Sequence, residues 1–375
     1  MTSPRSLRPL RIAMIAPPWF TVPPQGYGGV ENMCADLVDG LVDRGHEVTL
    51  ICAGPAGTRA GRYLTTYAEP PSGRLGEPLP EVLHAAAVAR ILARLDVDLV
   101  HDHTLAGPLS ARGRGVPTVV TMHGPVAGEP GEYYRQLGDT VSLVAISAAQ
   151  RRAAPDLAWR GTVHNAIDAT TFPYRADKEE QVLFLGRLHP DKGVHLAIDA
   201  ARAAGLPIVV AGKCSEPVER QYFRTFIEPR LGPDVTIFGT ADATAKRELL
   251  ARAAALVFPI QWDEPFGMVM IEAMACGTPV VALRRGAVPE VVVDGVTGIV
   301  CDDPAELPAA ITAARQLSAA ECRAHVENCF DAGTMVGGYE SVYREVLLPR
   351  MPTRHGDVVV PAARRTPWSP APAAA

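Results

Sequence analysis

Short apolar runs alternate with helix-length segments along almost the whole chain, and the alternation starts afresh near its middle. Runs at 11–16, 47–52, 99–102, 117–122 and 142–146 read as strands, with a helical pattern over 30–44 that stops at Gly45. Runs of this kind lack polar alternation, so both faces of the strand are buried, and strand–helix–strand repeats make the strands parallel. A second cycle follows at 182–186, 207–211, 235–238, 255–259 and 279–282. The 375 residues exceed what one core of ordinary size holds, which fits two domains.

The expected fold is therefore α/β, with two facing Rossmann-like, doubly wound domains over residues 10–170 and 181–333. Between them, 171–180 is the linker, where periodicity fails after Phe172 and Pro173 and charges cluster. Tyr339, Val342, Tyr343 and Val346 recur at helical spacing, so a closing helix is expected in the region 334–350. The termini, 1–9 and 351–375, are rich in Pro and Arg, the second also in Ala, and are expected to be disordered.

A formal net charge of -5 supplies no broad positive field, which argues against a nucleic-acid partner and leaves any polyanionic ligand to local cations. The seven cysteines are scattered and never form a C-x2-C pair, so neither a zinc site nor a disulfide framework is suggested, and a reducing, cytoplasmic setting fits. Arg5, Arg8 and Arg11 before residues 12–16 imitate a signal peptide, but Pro17 and Pro18 end the run, which reads as the first strand. No window approaches the ~18 apolar residues of a membrane span. A soluble protein is expected, one still free to visit a membrane surface.

The densest chemical signal is EPFGMVMIEAMACGTPV at 264–280. A loop carries Glu264 to Gly267, and a short helix over 268–276 is stopped by Gly277. The free amides of such a helix start, with the positive end of its dipole, suit a phosphate, and Gly267 lets it approach the backbone. Glu264 and Glu272 lie on different levels around one ligand, and carboxylates bind hydroxyls well; a bare E-x7-E is equally a solvated pair. A second signal is GRLHPDKG at 186–193, ending the first strand of the second half. Arg187 and Lys192 there read either as surface charges or as two fixed cations for an anion.

Together these segments resemble the donor-binding motifs of family 4 glycosyltransferases, retaining enzymes of the two-domain GT-B type. The resemblance covers about 330 residues and implies transfer of a sugar from a nucleotide diphosphate donor. It implies that Glu264 contacts the transferred sugar, that the backbone of Phe266, Gly267 and Met268 meets sugar and phosphate, and that Glu272 holds the ribose. Gly186 opens the family's G-R-x4-K-G motif, in which Arg187 and Lys192 stabilise the leaving diphosphate, whose charge grows in the transition state. Gly239 lies near the base, and Glu290, in the stretch 286–290 that is similar to the family's G-x-P-E segment, takes a structural role. With two cations in place no metal is required; Asp96 and Asp98 have the DxD form but sit at a helix-to-strand junction and read as a chance match. No cofactor is expected beyond the nucleotide sugar as co-substrate.

On the acceptor side, PPQGYGGVE at 23–31 fails as a dinucleotide fingerprint because position 31 is Glu31. It resembles the family's G-G-x-E segment, in which Gly28 and Gly29 bring backbone amides to the diphosphate; a flexible turn is the competing reading. His123, in TMHG at 121–124, corresponds to the family's T-x-H histidine near the reacting sugar, where it can donate a hydrogen bond. His101 and His103 flank Asp102 and could be metal ligands, but hydrogen bonding in the cleft is preferred because no further ligand set is evident. Where the family has N-G-[IV]-D, residue 166 is Ala166, so the turn there must accommodate a Cβ.

The resemblance further implies hexosyl transfer with retention and favours UDP-glucose over GDP-mannose, toward an unidentified small-molecule, glycan or lipid acceptor. A nucleotide-sugar epimerase of the same fold is the enzymatic alternative, disfavoured by the Glu264 to Glu272 spacing. A non-catalytic nucleotide-sugar binding protein is the other, disfavoured because the first-domain loop and His123 are both present.

Overall fold

The structure, a computed structural model, describes residues 8–26 and 28–348. Most of the two termini expected to be disordered lies outside the described residues, as does Tyr27. Two wholly parallel sheets are present, each covered by helices. The first holds β1 (Arg11–Ile15), β2 (Glu47–Cys52), β3 (Arg62–Thr65), β4 (Leu99–Asp102), β5 (Thr118–Met122), β6 (Ser142–Ala145) and β7 (Trp159–Thr162), in the order β3-β2-β1-β4-β5-β6-β7. The second holds β8 (Val182–Leu185), β9 (Ile208–Ala211), β10 (Val235–Gly239), β11 (Leu256–Phe258), β12 (Val280–Leu283) and β13 (Gly298–Cys301), in the order β10-β9-β8-β11-β12-β13. The central strands carry the apolar runs: β4, β5 and β6 are buried throughout, as a sheet covered on both faces requires.

Strand order reverses between β1 and β4 in the first sheet and between β8 and β11 in the second. Crevices at such switch points, beyond the carboxyl ends of the strands, are where open α/β sheets bind ligands. Most of the motifs singled out in the sequence fall there or beside it. The loop at 23–29 follows β1, His103 follows β4, His123 follows β5, Arg187 follows β8, and Glu264 follows β11. Asp96 and Asp98 lie at the opposite edge, where Arg11 at the start of β1 pairs with both, which accounts for them structurally.

Three strands go beyond the sequence reading. The edge strands β3 and β7 carry Arg62, Tyr63, Arg160 and Gly161 rather than an apolar run, and β13 grows out of a turn-like stretch. The closing helix, Ala332–Leu347, begins before the expected pattern and packs on the first domain although it follows the second in the chain. Its Val336, Tyr339 and Tyr343 share a core with Leu37, Val38 and Leu41 of the helix Gly29–Asp43, and Arg44 pairs with Glu340 at 2.6 Å. The two passages between domains run side by side, the Ile167 N–H donating to the Phe330 carbonyl at 3.0 Å. The turn accommodates the Cβ of Ala166 without strain: among the described residues no non-glycine has positive φ, and Ala166 is buried in the first-domain core.

Candidate active site between the two domains

In the second domain, His189 accepts a hydrogen bond from the Asp191 N–H and shapes the turn Pro190–Lys192, which carries Lys192 into the cleft. Gly193 has φ 69°, and a Cβ there would come within 2.2 Å of the Pro259 carbonyl oxygen, so the turn is pressed against the loop after β11. Lys192 Nζ pairs with Glu264 Oε2, which also accepts from Trp262 Nε1 at 3.1 Å. Glu264 is held from behind by the next loop. Gly286, at φ 51°, approaches so closely that a Cβ would meet the Glu264 oxygen at 2.3 Å, and the Ala287 N–H donates to the Glu264 carbonyl at 2.9 Å. The Glu290 carboxylate that ends this loop reaches across to the first domain and accepts from the Ala148 and Ala149 N–H groups at 2.7 and 2.5 Å.

The helix Met268–Ala275 begins at Gly267 with no side-chain cap, so its first N–H groups face the cleft beside Phe266, Gly267 and Met268. An anion suits that end of the helix. One turn in, the buried Glu272 carboxylate accepts from Lys246 Nζ at 2.6 Å. Arg187 lies 3.7 Å from Glu216 and 3.6 Å from Glu219, and Lys213 pairs with Glu216 at 2.9 Å. Cations and carboxylates thus alternate along this wall.

The first domain supplies the facing wall. Gly28 and Gly29 open the helix Gly29–Asp43 without a side-chain cap, and Gly29 lies against Met268 of the other domain. Glu31 is inside the first turn, only 3% exposed, and burial pushes its carboxyl up to about 7. The loops 23–26 and 240–243 touch, the Ala243 N–H reaching the Gln25 carbonyl at 3.4 Å. His123 and His103 are joined Nε2 to Nδ1 at 2.9 Å, while His103 Nε2 faces Met14 Sδ at 3.2 Å. His123 Nδ1 is buried without a partner, and burial pushes the imidazole down to about 4. It is therefore neutral near pH 7 and acts as a hydrogen-bonding dipole rather than a charge. His101 turns away from the cleft, bonded to Tyr343 Oη at 2.7 Å and Thr121 Oγ1 at 2.8 Å.

These walls enclose a cavity of about 400 Å³. It is lined by His123, Arg187, Lys192, Glu264, Gly28, Gly29, Gly186, Phe266, Gly267, Met268 and Glu272, so nearly all the residues singled out in the sequence converge. Gly239 does not reach it. It stands behind Thr240 and Ala241, its carbonyl accepting from the Gly212 N–H at 2.8 Å. Sequence reasoning missed Lys246, Lys213, Trp262 and Asn165, all in the wall; Asn165 brings a buried side-chain oxygen without a partner. Lys246 sits in the charged helix Ala243–Arg252, where no spacing marks one lysine above its neighbours. Trp262, two residues before Glu264, is the one whose position carried a signal.

Family models match both halves: "Glycosyltransferase Family 4" over residues 27–192 and "Glycosyl transferases group 1" over 168–326. The chain is similar to a glycogen synthase of Mycobacterium tuberculosis, 28% identical over 89% of this chain and 94% of that one. It is 30% identical to an alpha-maltose-1-phosphate synthase of Mycolicibacterium smegmatis over 77% of this chain and 84% of the relative. Among solved structures, AviGT4, a glycosyltransferase involved in avilamycin A biosynthesis, superposes with a TM-score of 0.71 at 27% identity, over 90% of this chain and 98% of that one.

Proposed function

The chain belongs to the family 4 glycosyltransferases of GT-B fold, and from that premise we propose that it transfers glucose from UDP-glucose to an acceptor hydroxyl with retention and without a metal. The observation that carries this reading is the meeting, in one interdomain cavity, of the Lys192–Glu264 pair, Arg187 and the uncapped start of the helix Met268–Ala275. The donor diphosphate lies against that helix start and the two cations, Glu272 takes the ribose hydroxyls, and Glu264 with the Phe266 to Met268 backbone takes the sugar.

As the bond from C1 to the phosphate oxygen breaks, its electron pair goes to the diphosphate. Arg187, Lys192 and the helix dipole stabilise that growing charge more than the ground state, which accelerates the step. The acceptor oxygen bonds to C1 from the face the diphosphate leaves, and its proton passes to the departing phosphate oxygen. Retention follows from that side of attack. Glu264 is engaged by Lys192 and Trp262, so its role is to orient the sugar rather than to attack it. Neutral His123 hydrogen-bonds the sugar or phosphate from the first domain. The relatives named for glycogen and for maltose 1-phosphate support glucose as the sugar. Seven unpaired cysteines support a reducing compartment, and among the described residues no helix is long and apolar enough to cross a membrane.

The test is calorimetric binding of UDP, UDP-glucose and GDP-mannose to the wild type and to Glu272→Ala, with the released sugar followed by NMR. UDP-glucose should bind, lose affinity on substitution, and give α-configured product from its α-linked donor. Preference for GDP-mannose would overturn the donor, β product the stereochemistry, and a 2-epimeric sugar the transferase reading.

A further inference from the structure

We propose that the acceptor is a compact hydroxylated molecule carrying an anionic group, a phosphate monoester or a carboxylate, and that it occupies a second cavity which shares Glu264 with the donor site. The inference rests on the donor assignment above for the direction of transfer, but its geometry is separate. The second cavity has a volume of about 350 Å³, room for one or two rings, and is built by both domains. Val126 and Ala127 of the loop after His123 and Arg152 of the short helix Ala148–Ala153 form one side; Asp263 and Pro265 form the other. Glu264 lines both cavities, so a molecule seated in the second abuts the sugar that Glu264 orients in the first.

The wall is fixed rather than adventitious. Glu290 ties the start of the Arg152 helix to the second domain, and Gln150 braces the same helix by donating to the Met122 and Gly124 carbonyls, both at 2.8 Å. With Glu290 occupying that helix start, and Gln150 satisfied internally, neither is left to read a ligand. Besides the shared Glu264, two side-chain groups are. Arg152 is held only at 3.4 Å by Glu290 and its side chain is 69% exposed, so most of its guanidinium donors remain for an anion. Asp263 accepts from the Gly286 N–H at 3.1 Å through Oδ1, which leaves Oδ2 to accept from a hydroxyl.

A guanidinium fork matches the two oxygens of a phosphate or carboxylate, the carboxylate opposite selects a hydroxyl, and the apolar side chains between them suit a ring face. A neutral acceptor would leave the Arg152 fork unused. The anionic group can belong to a soluble metabolite or to a lipid headgroup, and the size of the cavity admits either.

The test uses the full chain and reads binding without turnover. Calorimetry with glucose 6-phosphate, glucose and inorganic phosphate is run on the wild type, Arg152→Glu, Arg152→Lys and Asp263→Asn, with UDP binding measured on the same samples. In a parallel arm, phosphatidylcholine vesicles with and without phosphatidic acid are sedimented with each protein. Glucose 6-phosphate should bind at least ten-fold tighter than glucose, lose that advantage in Arg152→Glu and recover part of it in Arg152→Lys. Binding to phosphatidic acid vesicles with the same Arg152 dependence, and none to glucose 6-phosphate, would support the headgroup source. Equal binding of glucose and glucose 6-phosphate, or no response of either arm to Arg152→Glu, overturns the proposal. Failure of the wild type to bind UDP overturns the donor assignment instead, since the anion arms are read without nucleotide.

Discussion

Lys246 and Glu272, on two helices of the second domain, form an ion pair of 2.6 Å in the wall of the donor cavity, with the Glu272 side chain only 8% exposed. A carboxylate so placed needs a partner before ligand arrives, because an unpaired buried charge is costly. The pair also fixes Oε1 and leaves Oε2 for the ribose diol of the proposed donor.

We therefore expect Lys246→Met to weaken UDP binding about ten-fold, worth ~1.4 kcal/mol. The double variant with Glu272→Gln should bind hardly more weakly than Glu272→Gln alone, since the lysine acts through the glutamate. Calorimetric affinities for the four proteins complete a double-mutant cycle, and strictly additive losses would show that Lys246 contacts the nucleotide independently.

Gly286→Ala should separate orientation from affinity. Its Cβ would strike the Glu264 backbone, and nothing flexible stands there to yield. The displaced residue is the one proposed to orient the sugar, whereas the helix start proposed for the diphosphate is unaltered. We expect glucosyl transfer or donor hydrolysis to fall at least ten-fold while UDP affinity changes less than three-fold. Steady-state rates beside calorimetry decide it; equal losses in both would mean that the whole loop had moved.

What the sequence showed and what it hid divide by the range of the interaction. Central strands and the motifs after them were legible because burial on both faces writes itself as a local apolar run, and a parallel sheet puts all its C-terminal loops on one edge. β3 and β7 were not, since an edge strand is paired through its backbone and Arg62 or Gly161 serves as well as valine there. The docking of Tyr339 and Tyr343 on the first domain was invisible in the same way: their spacing announces a helix, not the helix Gly29–Asp43 and the strands β4 and β5 that receive them from much earlier in the chain. Lys246 and Arg152 each owe their placement to a contact with a distant carboxylate, Glu272 or Glu290, and no local pattern records such a contact.

Acid should destabilise the protein through its buried histidines. Burial lowers His84 and His123 to about 4 and His101 to about 3, and holds His103 well below its ordinary value. Their unfolded value is about 6.5, so the unfolded chain binds more protons below it, and the stability present above pH 6.5 is lost as pH falls toward 4. Glu31 and Asp36, both pushed up to about 7 by burial, act oppositely: they are protonated in the fold where the unfolded chain has released the proton, so their contribution is lost as pH rises through 7. Four histidines against two carboxyls leave a net uptake on unfolding that grows from about half a proton at pH 6.5 to about two near pH 5. Urea unfolding across that range should show stability falling as pH drops, and Glu31→Gln should make the fall steeper. A stability flat or rising toward pH 5 would show that the histidines are not held neutral.

Arg187 and Lys192 are expected to matter more to the rate than to binding. In the free enzyme their charges are already met by Glu216, Glu219 and Glu264, so a ground-state diphosphate must compete with these carboxylates for them. The competition shifts toward the ligand as charge builds on the leaving oxygen, so the net gain is largest in the transition state. Each alanine substitution should lower kcat by about 10²–10³ while UDP-glucose affinity falls only a few-fold, the pattern of an electrostatic group that acts on developing charge. Lys192→Ala carries a second signature, because it frees Glu264: the unpaired carboxylate then repels the diphosphate, and removing it in Lys192→Ala/Glu264→Gln should restore part of the nucleotide affinity without restoring the rate. Equal losses of kcat and affinity in Arg187→Ala, or no recovery of binding in the double variant, would mean that these cations hold the donor rather than assist its departure.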